Sequence, residues 1–227
     1  MKIIDSHTHI DYITCDLQPE VVGCVCCAVV ESDWNNIVDL AKQDKRVYGA
    51  FGVHPWFVES LKDGYNVRLE NLLKTDSSYM LGEIGLDKYK PNMEKQVEVF
   101  MVQLDIAVKL KRTVFLHCVG AWDKVLHILK QYKQNELPII VVHNFDENDT
   151  ILKQLLKYEN VFFSISKNVV YDRNYRIEQI PINRILIETD AKKDVLLKDV
   201  LINLIKIKDD KTIPDIIYNN TLRVLNK

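Results

Sequence analysis

Eight short apolar segments rich in Val and Ile recur along the chain, and each is followed by a polar segment with helical periodicity. They cover residues 2–6, 22–30, 47–53, 79–84, 113–117, 138–143, 161–165 and 184–189. Continuous apolar strands that alternate with helices are typical of a parallel sheet covered by helices on its outside. The pattern therefore predicts eight β-α units.

The segments between these strands predict amphipathic helices. Residues 93–111 show the clearest apolar stripe, and residues 67–74 form a short and marginal helix. The other helices are predicted at residues 34–42, 121–133, 148–158, 195–206 and 213–225. Eight such units without a fixed sequence repeat favour an α/β protein with a closed (β/α)8 TIM-type barrel. An open doubly wound sheet is the alternative, but the glycine-rich loop that usually follows its first strand is missing.

Length and composition allow a substantial core, since 47% of the 227 residues are hydrophobic. The chain could form one large domain or two small ones. No stretch has the composition of a linker, and seven glycines and six prolines are few for this length. We therefore expect a single domain over residues 1–227.

Net charge and cysteine content bear on whether the protein grips long nucleic acid and on the compartment in which it works. The net charge of -2 provides no general electrostatic surface for gripping long duplex nucleic acid. Acidic Asp5 interrupts any signal peptide, and no stretch of about 18 apolar residues is present to span a membrane. Three of the five cysteines lie in the second strand, as expected for buried thiols in a reducing compartment. These features predict a cytoplasmic protein.

Candidate site residues recur at the carboxyl ends of the predicted strands, where barrels of this type carry their chemistry. They are His7, His9, His54, Glu83, His117, His143 and Asp190. Side chains two residues apart on a strand share a face, so His7 and His9 can converge on one ion. The sixth histidine, His127, lies within a predicted helix and has no such role.

This set of residues indicates the chemistry of the site. Four histidines with Glu83 and Asp190 are too many ligands for one tetrahedral ion with an open position. They suit two divalent ions about 3.5 to 4 Å apart that share a bridging carboxylate. Mg, Mn and Zn all tolerate such ligands. The sequence therefore predicts a metal-dependent hydrolase.

The order of the motifs resembles the TatD family of metal-dependent deoxyribonucleases, within the amidohydrolase superfamily. The motifs are His7-Thr8-His9, Gly52-Val53-His54-Pro55, Gly82-Glu83-Ile84-Gly85-Leu86-Asp87, His117, His143 and Glu188-Thr189-Asp190-Ala191. The resemblance implies a TIM-type barrel with one ion held by three residues, a bridging carboxylate and a second ion held by two histidines. By this resemblance, His7, His9 and Asp190 would hold the first ion, and His117 and His143 would hold the second. Glu83 would bridge the two ions.

Further roles follow from the same resemblance. Asp190 is the expected general base, which takes a proton from the attacking water. His54 and Asp87 are expected to orient the ligands or the phosphate, although Asp87 could equally be a turn residue that closes its strand. Glu188 lies on the same face as Asp190 but one layer deeper in the barrel.

The chain departs from the family pattern around the substrate. No arginine follows His117 by two residues, and Lys192-Lys193 stands where proline is usual. Lys192, Lys193 or Lys88 could supply the missing positive charge.

Three hypotheses of function remain open. The first is a phosphodiesterase or DNase of the 3'-5' exonuclease type, acting on single-stranded DNA ends or small phosphodiesters. The second is an amidohydrolase that acts on a small amide, lactone or ester. The third is a metal-binding interaction protein with weak catalytic activity.

Overall fold

Eight parallel strands form one sheet in which each strand pairs with the next along the chain. The computed structural model describes residues 2–167 and 174–226. The strands are β1 (Ile3–Thr8), β2 (Val21–Cys27), β3 (Val47–Phe51), β4 (Met80–Asp87), β5 (Val114–Val119), β6 (Ile140–Val142), β7 (Val161–Ile165) and β8 (Ile185–Ile187). β1 also lies beside β8, so the sheet curves into a barrel. The predicted (β/α)8 architecture is confirmed, whereas the single domain stays a prediction.

The helices that follow the strands include all those predicted from the sequence. They are α1 (Thr14–Leu17), α2 (Asp33–Gln43), α3 (Tyr65–Thr75), α4 (Met93–Leu110), α5 (Trp122–Leu129), α6 (Asp149–Leu155), α7 (Asn174–Gln179), α8 (Leu197–Lys208) and α9 (Ile213–Val224). The short helices α1 and α7 were not predicted, since a single turn or two shows no hydrophobic period. No helix in the described part of the chain is long and apolar enough to cross a membrane.

The inside of the barrel is filled by a layer to which every strand contributes. These buried side chains are Ile4, Val25, Ala50, Met80, Phe115, Val141, Phe162 and Leu186. Val224 and Leu225, at the end of α9, pack against the same layer. The interior below the strand ends is therefore a packed core, and the polar side chains collect at the opposite mouth.

Strand β4 extends beyond its predicted end at residue 84 and reaches Asp87. Gly85 makes this possible, because a Cβ atom there would lie 1.8 Å from the backbone oxygen of His117 on β5. Its φ of +150° is also a conformation that other residues rarely adopt. Gly85, the second glycine of the Gly-Glu-Ile-Gly motif, thus permits the close approach of β4 to β5. These two strands carry Glu83 and His117.

The seam between β1 and β8 is held by hydrogen bonds between residues from opposite ends of the chain. The hydroxyl of Ser6 donates to the carbonyl oxygen of Ile187 over 2.9 Å. The backbone N–H of Asp190 donates to the carbonyl oxygen of His7 over 3.0 Å. These bonds bring the end of the first strand and the residues after the last strand to one place.

Candidate metal centre

Glu83 lies at the middle of the barrel mouth, and its two carboxylate oxygens face different groups of histidines. Oε2 lies 3.2 Å from Nε2 of His7 and 3.6 Å from Nε2 of His9. Oδ1 of Asp190 completes this group, 3.9 Å from Nε2 of His7 and 3.8 Å from Nε2 of His9. The residues that the resemblance assigns to one ion, His7, His9 and Asp190, therefore converge.

The second oxygen of Glu83 faces three imidazoles. Oε1 lies 2.9 Å from Nε2 of His143, 3.0 Å from Nδ1 of His117 and 3.2 Å from Nε2 of His54. Nδ1 of His117 and Nε2 of His143 are 3.3 Å apart. All the strand-end residues singled out in the sequence therefore meet around one carboxylate.

The outer nitrogens of three histidines of the site face oxygen atoms, and for His9 this contact fixes the position of the proton. Nδ1 of His9 lies 3.0 Å from the carbonyl oxygen of Cys27, so it carries a proton and leaves Nε2 with a lone pair. Nδ1 of His143 faces Glu188 at 3.4 Å, and Nε2 of His117 faces Asp87 at 3.6 Å. The carbonyl oxygen of Cys27 thus directs the lone pair of His9 towards Glu83, whereas the carboxylates behind His143 and His117 lie nearby without forming hydrogen bonds to them.

His54 has the opposite arrangement. Its Nδ1 accepts a hydrogen bond of 3.2 Å from the backbone N–H of Trp56. The proton of the neutral ring is therefore on Nε2, which donates to Oε1 of Glu83. This geometry favours a role for His54 in orienting Glu83 over a role as a ligand, in line with the sequence-based expectation.

The chemistry of these donors fits divalent cations. Three groups of imidazole and carboxylate atoms lie close enough to share an ion: His7, His143 and Asp190; His7, His9 and Glu83; and His54, Glu83 and His117. Nε2 of His7 is buried and has no hydrogen-bond partner in the described ranges, although it points at two carboxylates. A buried polar atom in this position is expected to bind a cation.

The charge states of the buried groups are consistent with this interpretation. Burial alone would raise the pKa of Glu83, but His143, His54 and His7 hold it well below its ordinary value. Burial lowers the pKa of His7 and of His54, which favours neutral rings. Burial opposes the charged form of His143, but Glu83 and Glu188 raise its pKa well above the usual value. The carboxylates of the site therefore attract positive charge to its centre.

Asp190 and Lys192 lie at the edge of the site. Nζ of Lys192 is 2.9 Å from Oδ2 of Asp190. Burial would raise the pKa of Asp190, but His143, His7 and Lys192 lower it. The carboxylate is thus ionised, as a proton acceptor must be.

Asp5 is a buried residue of this region that the sequence-based interpretation missed. Its carboxylate accepts hydrogen bonds from the backbone N–H of Thr189 (3.0 Å), the hydroxyls of Thr189 (2.6 Å) and Thr14 (2.5 Å), and the N–H of His7 (3.2 Å). Burial raises its pKa to about 7, against the effect of these donors. Asp5 thereby ties β1 to the residue before Asp190. A carboxylate in the apolar run Ile3-Ile4-Asp5 was the signal available in the sequence.

The Asp5→Asn variant is expected to be less stable and to bind metal more weakly. An amide cannot accept all four hydrogen bonds, and an unsatisfied buried donor costs about 1–3 kcal/mol. Thermal unfolding and calorimetric titration with Mn²⁺ would measure the two effects. Exposed Asp63 provides a matched control as Asp63→Asn. Wild-type stability and affinity in Asp5→Asn would contradict this role.

The cavity above Glu83 has a volume of about 470 Å³ and opens to the surface. No lysine or arginine lines it within residues 2–167 and 174–226, in keeping with the missing arginine after His117. One wall carries Trp56 and Phe57. Asp87 orients this wall, because its Oδ2 accepts a hydrogen bond of 2.6 Å from the indole of Trp56. Asp87 is therefore more than a turn residue.

Comparison with known proteins agrees with this geometry. A family model described as TatD related DNase matches residues 4–221. The human 3'-5' RNA nuclease TATDN2 is 32% identical over 161 residues, which cover 67% of this chain and 21% of that protein. The 3'-5' ssDNA/RNA exonuclease TatD of Yersinia pseudotuberculosis is 31% identical over 147 residues, covering 62% of this chain and 56% of the relative. The matches thus span less than two thirds of either nuclease.

Solved structures share the fold. The crystal structure of YjjV, a TatD homologue from Escherichia coli K12, superposes with a TM-score of 0.87. The match covers 99% of this chain and 98% of that one, at 23% sequence identity. A TatD family hydrolase from Entamoeba histolytica gives a TM-score of 0.82 at 17% identity.

Proposed function

Because the chain belongs to the family of TatD-related DNases, we propose that it is a metal-dependent hydrolase that removes nucleotides from the 3' end of single-stranded DNA or RNA. The observation that carries the proposal is the position of Glu83, whose two oxygens each face a separate group of histidines. Such a carboxylate is suited to bridge two divalent ions, of which Mg, Mn and Zn are the candidates. The nuclease names of the human and Yersinia relatives support nucleic acid as the substrate.

The distances around Glu83 support the assignment of ligands that the family resemblance implies. His7, His9 and Asp190 would hold one ion, His117 and His143 would hold the other, and Glu83 would bridge them. When bound, such ions polarise phosphate oxygens and make water more acidic. His54 would donate a hydrogen bond to Glu83 and fix the orientation of its carboxylate.

The chain itself would supply the proton acceptor and the orientation of the substrate. The carboxylate of Asp190 borders the cavity and is ionised, so it would accept the proton of the attacking water. Lys192 would hold this carboxylate in place through its ion pair of 2.9 Å. The cavity would admit one nucleotide at the end of a strand, whereas no extended basic surface is expected to hold long duplex DNA.

Removal of metal tests the proposed function. A single-stranded oligonucleotide labelled at its 5' end is expected to shorten stepwise with Mg²⁺ or Mn²⁺, and cleavage should stop after dialysis against EDTA and return when metal is added. An oligonucleotide blocked at its 3' end is the control for polarity. Hydrolysis of a neutral amide without cleavage of the oligonucleotide would favour the amidohydrolase hypothesis. A stable protein partner without turnover of either substrate would favour the interaction protein.

A further inference from the structure

Large apolar side chains that remain exposed gather at one wall of the metal cavity. Trp56 is 49% exposed, Phe57 38% and Val119 37%, and all three line the cavity. Trp56 and Phe57 come from a 3-10 helix after β3 (Pro55–Ser60), and Val119 ends β5. Large aromatic side chains normally bury most of their surface in the core. Their exposure beside the candidate metal centre indicates a surface that meets a ligand.

Trp56 is exposed and also held in a fixed orientation. Its backbone N–H donates to Nδ1 of His54, and its indole N–H donates to Oδ2 of Asp87 over 2.6 Å. Asp87 is only 3% exposed and also accepts a hydrogen bond from the backbone N–H of Tyr89. Trp56 is therefore held through its backbone by His54 and through its indole by Asp87, and both partners lie beside the candidate metal centre. A rigid aromatic ring binds a flat partner at a low cost in conformational entropy.

The distances place the indole close to the proposed site of cleavage. Its ring centroid lies 5.1 Å from that of His54 and 6.3 Å from that of His117. Both imidazoles are within 3.2 Å of Oε1 of Glu83. A phosphate at the metal centre would therefore hold the base of the same nucleotide beside Trp56.

A positive charge accompanies the aromatic wall. Nζ of Lys90 lies 4.0 Å from the centroid of the Trp56 ring, in a cation-π contact. Since no lysine or arginine lines the cavity in the described ranges, a cation at its rim is well placed to meet a phosphate. Aromatic rings alternating with cations are the usual surface for single-stranded nucleic acid.

We propose that Trp56, flanked by Phe57, is a stacking platform for the unpaired base of the terminal nucleotide, and that Lys90 binds a phosphate of the same strand. The inference rests on the proposed function and specifies how that site selects its substrate. Stacking uses the face of a base, which all bases share, so the platform tolerates any sequence. A base paired within a duplex cannot present its face in this way. The platform therefore selects a frayed or single-stranded end.

Intrinsic fluorescence tests this proposal directly. The chain has three tryptophans, and Trp34 and Trp122 are each only 5% exposed, so Trp56 is the one that a ligand reaches. In the Asp190→Asn background with Mg²⁺, oligothymidylate is expected to quench the emission. An oligonucleotide of equal length with abasic terminal positions should leave the emission unchanged. In the same background, anisotropy of a labelled oligothymidylate should show binding about 5- to 150-fold weaker in Trp56→Ala, as expected for loss of one stacked base.

Control variants distinguish base stacking on Trp56 from the proposed nuclease activity. Trp56→Phe keeps an aromatic face and should retain part of the affinity, whereas Val67→Ala, which truncates an exposed residue on α3, should bind as the parent protein does. Equal binding of thymidylate and abasic strands, or unchanged affinity in Trp56→Ala, would overturn the platform even if the enzyme cleaves DNA. Quenching by thymidylate with no cleavage by the wild-type protein would overturn the nuclease and leave the platform.

Discussion

Glu83→Gln is expected to abolish hydrolysis and to remove bound metal. Glu83 faces both groups of histidines, and a glutamine amide offers a lone pair on only one of its two terminal atoms. The loss of activity should exceed about 100-fold, the upper end of what loss of a ligand's hydrogen-bond partner costs. Metal content by mass spectrometry and cleavage of a 5'-labelled single strand would be measured on one preparation.

The glutamine variant has a matched control on α4. Glu94 is exposed and lies outside the cavity, so Glu94→Gln removes the same charge and should keep both metal and activity. If Glu83→Gln retained two ions per chain, the bridging role would be wrong. If it lost metal but still cleaved DNA, the reaction would not depend on this centre.

Asp190→Asn is expected to lower kcat by about 10²- to 10⁴-fold, the usual contribution of a general base, with a much smaller change in KM. Since the pKa of Asp190 is lowered, its carboxylate is ionised throughout the neutral range. The kcat of the wild-type protein should therefore show no titration of Asp190 in this range, whereas the variant should lose activity at every pH in it. Steady-state kinetics on a single-stranded oligonucleotide between pH 6 and about pH 9 would check this, because those values bracket the neutral range in which histidine titrates.

A second aspartate on the same loop controls for this change. Asp194 is exposed and pairs with Lys167 at 3.3 Å, so Asp194→Asn should leave kcat unchanged. An Asp190→Asn enzyme that keeps the wild-type kcat at neutral pH would show that the reaction needs no base at this position. Asp190 would then be only a ligand.

The site residues at the strand ends could be predicted from the sequence because the residue spacing that identifies them is local. His7 and His9 share a face by their spacing, and a parallel barrel brings the ends of all strands together. The end of β4 was predicted too early, at residue 84, whereas the strand continues to Asp87. In the structure, Gly85 is required by the backbone of His117. The need for glycine at position 85 thus arises from the neighbouring strand β5 and cannot be read from β4 alone.

Individual hydrogen bonds and ion pairs of side chains could not be predicted in this way, whether the partners are near or distant in the chain. The proton position on His54 depends on the N–H of Trp56, and the orientation of Trp56 depends on Asp87. Lys192 was expected to replace a phosphate-binding arginine, but its ammonium group contacts Asp190. Its role in substrate binding stays a prediction.

The seam between β1 and β8 has a consequence for synthesis on the ribosome. Asp5 and Thr189 hydrogen-bond although they are 184 residues apart. A nascent chain that has not yet released Thr189 from the exit tunnel lacks both the seam and Asp190, even when β1 to β7 are complete. Closure of so long a loop comes late in folding. Truncated translation products would thus carry five of the six candidate ligands without forming the complete centre.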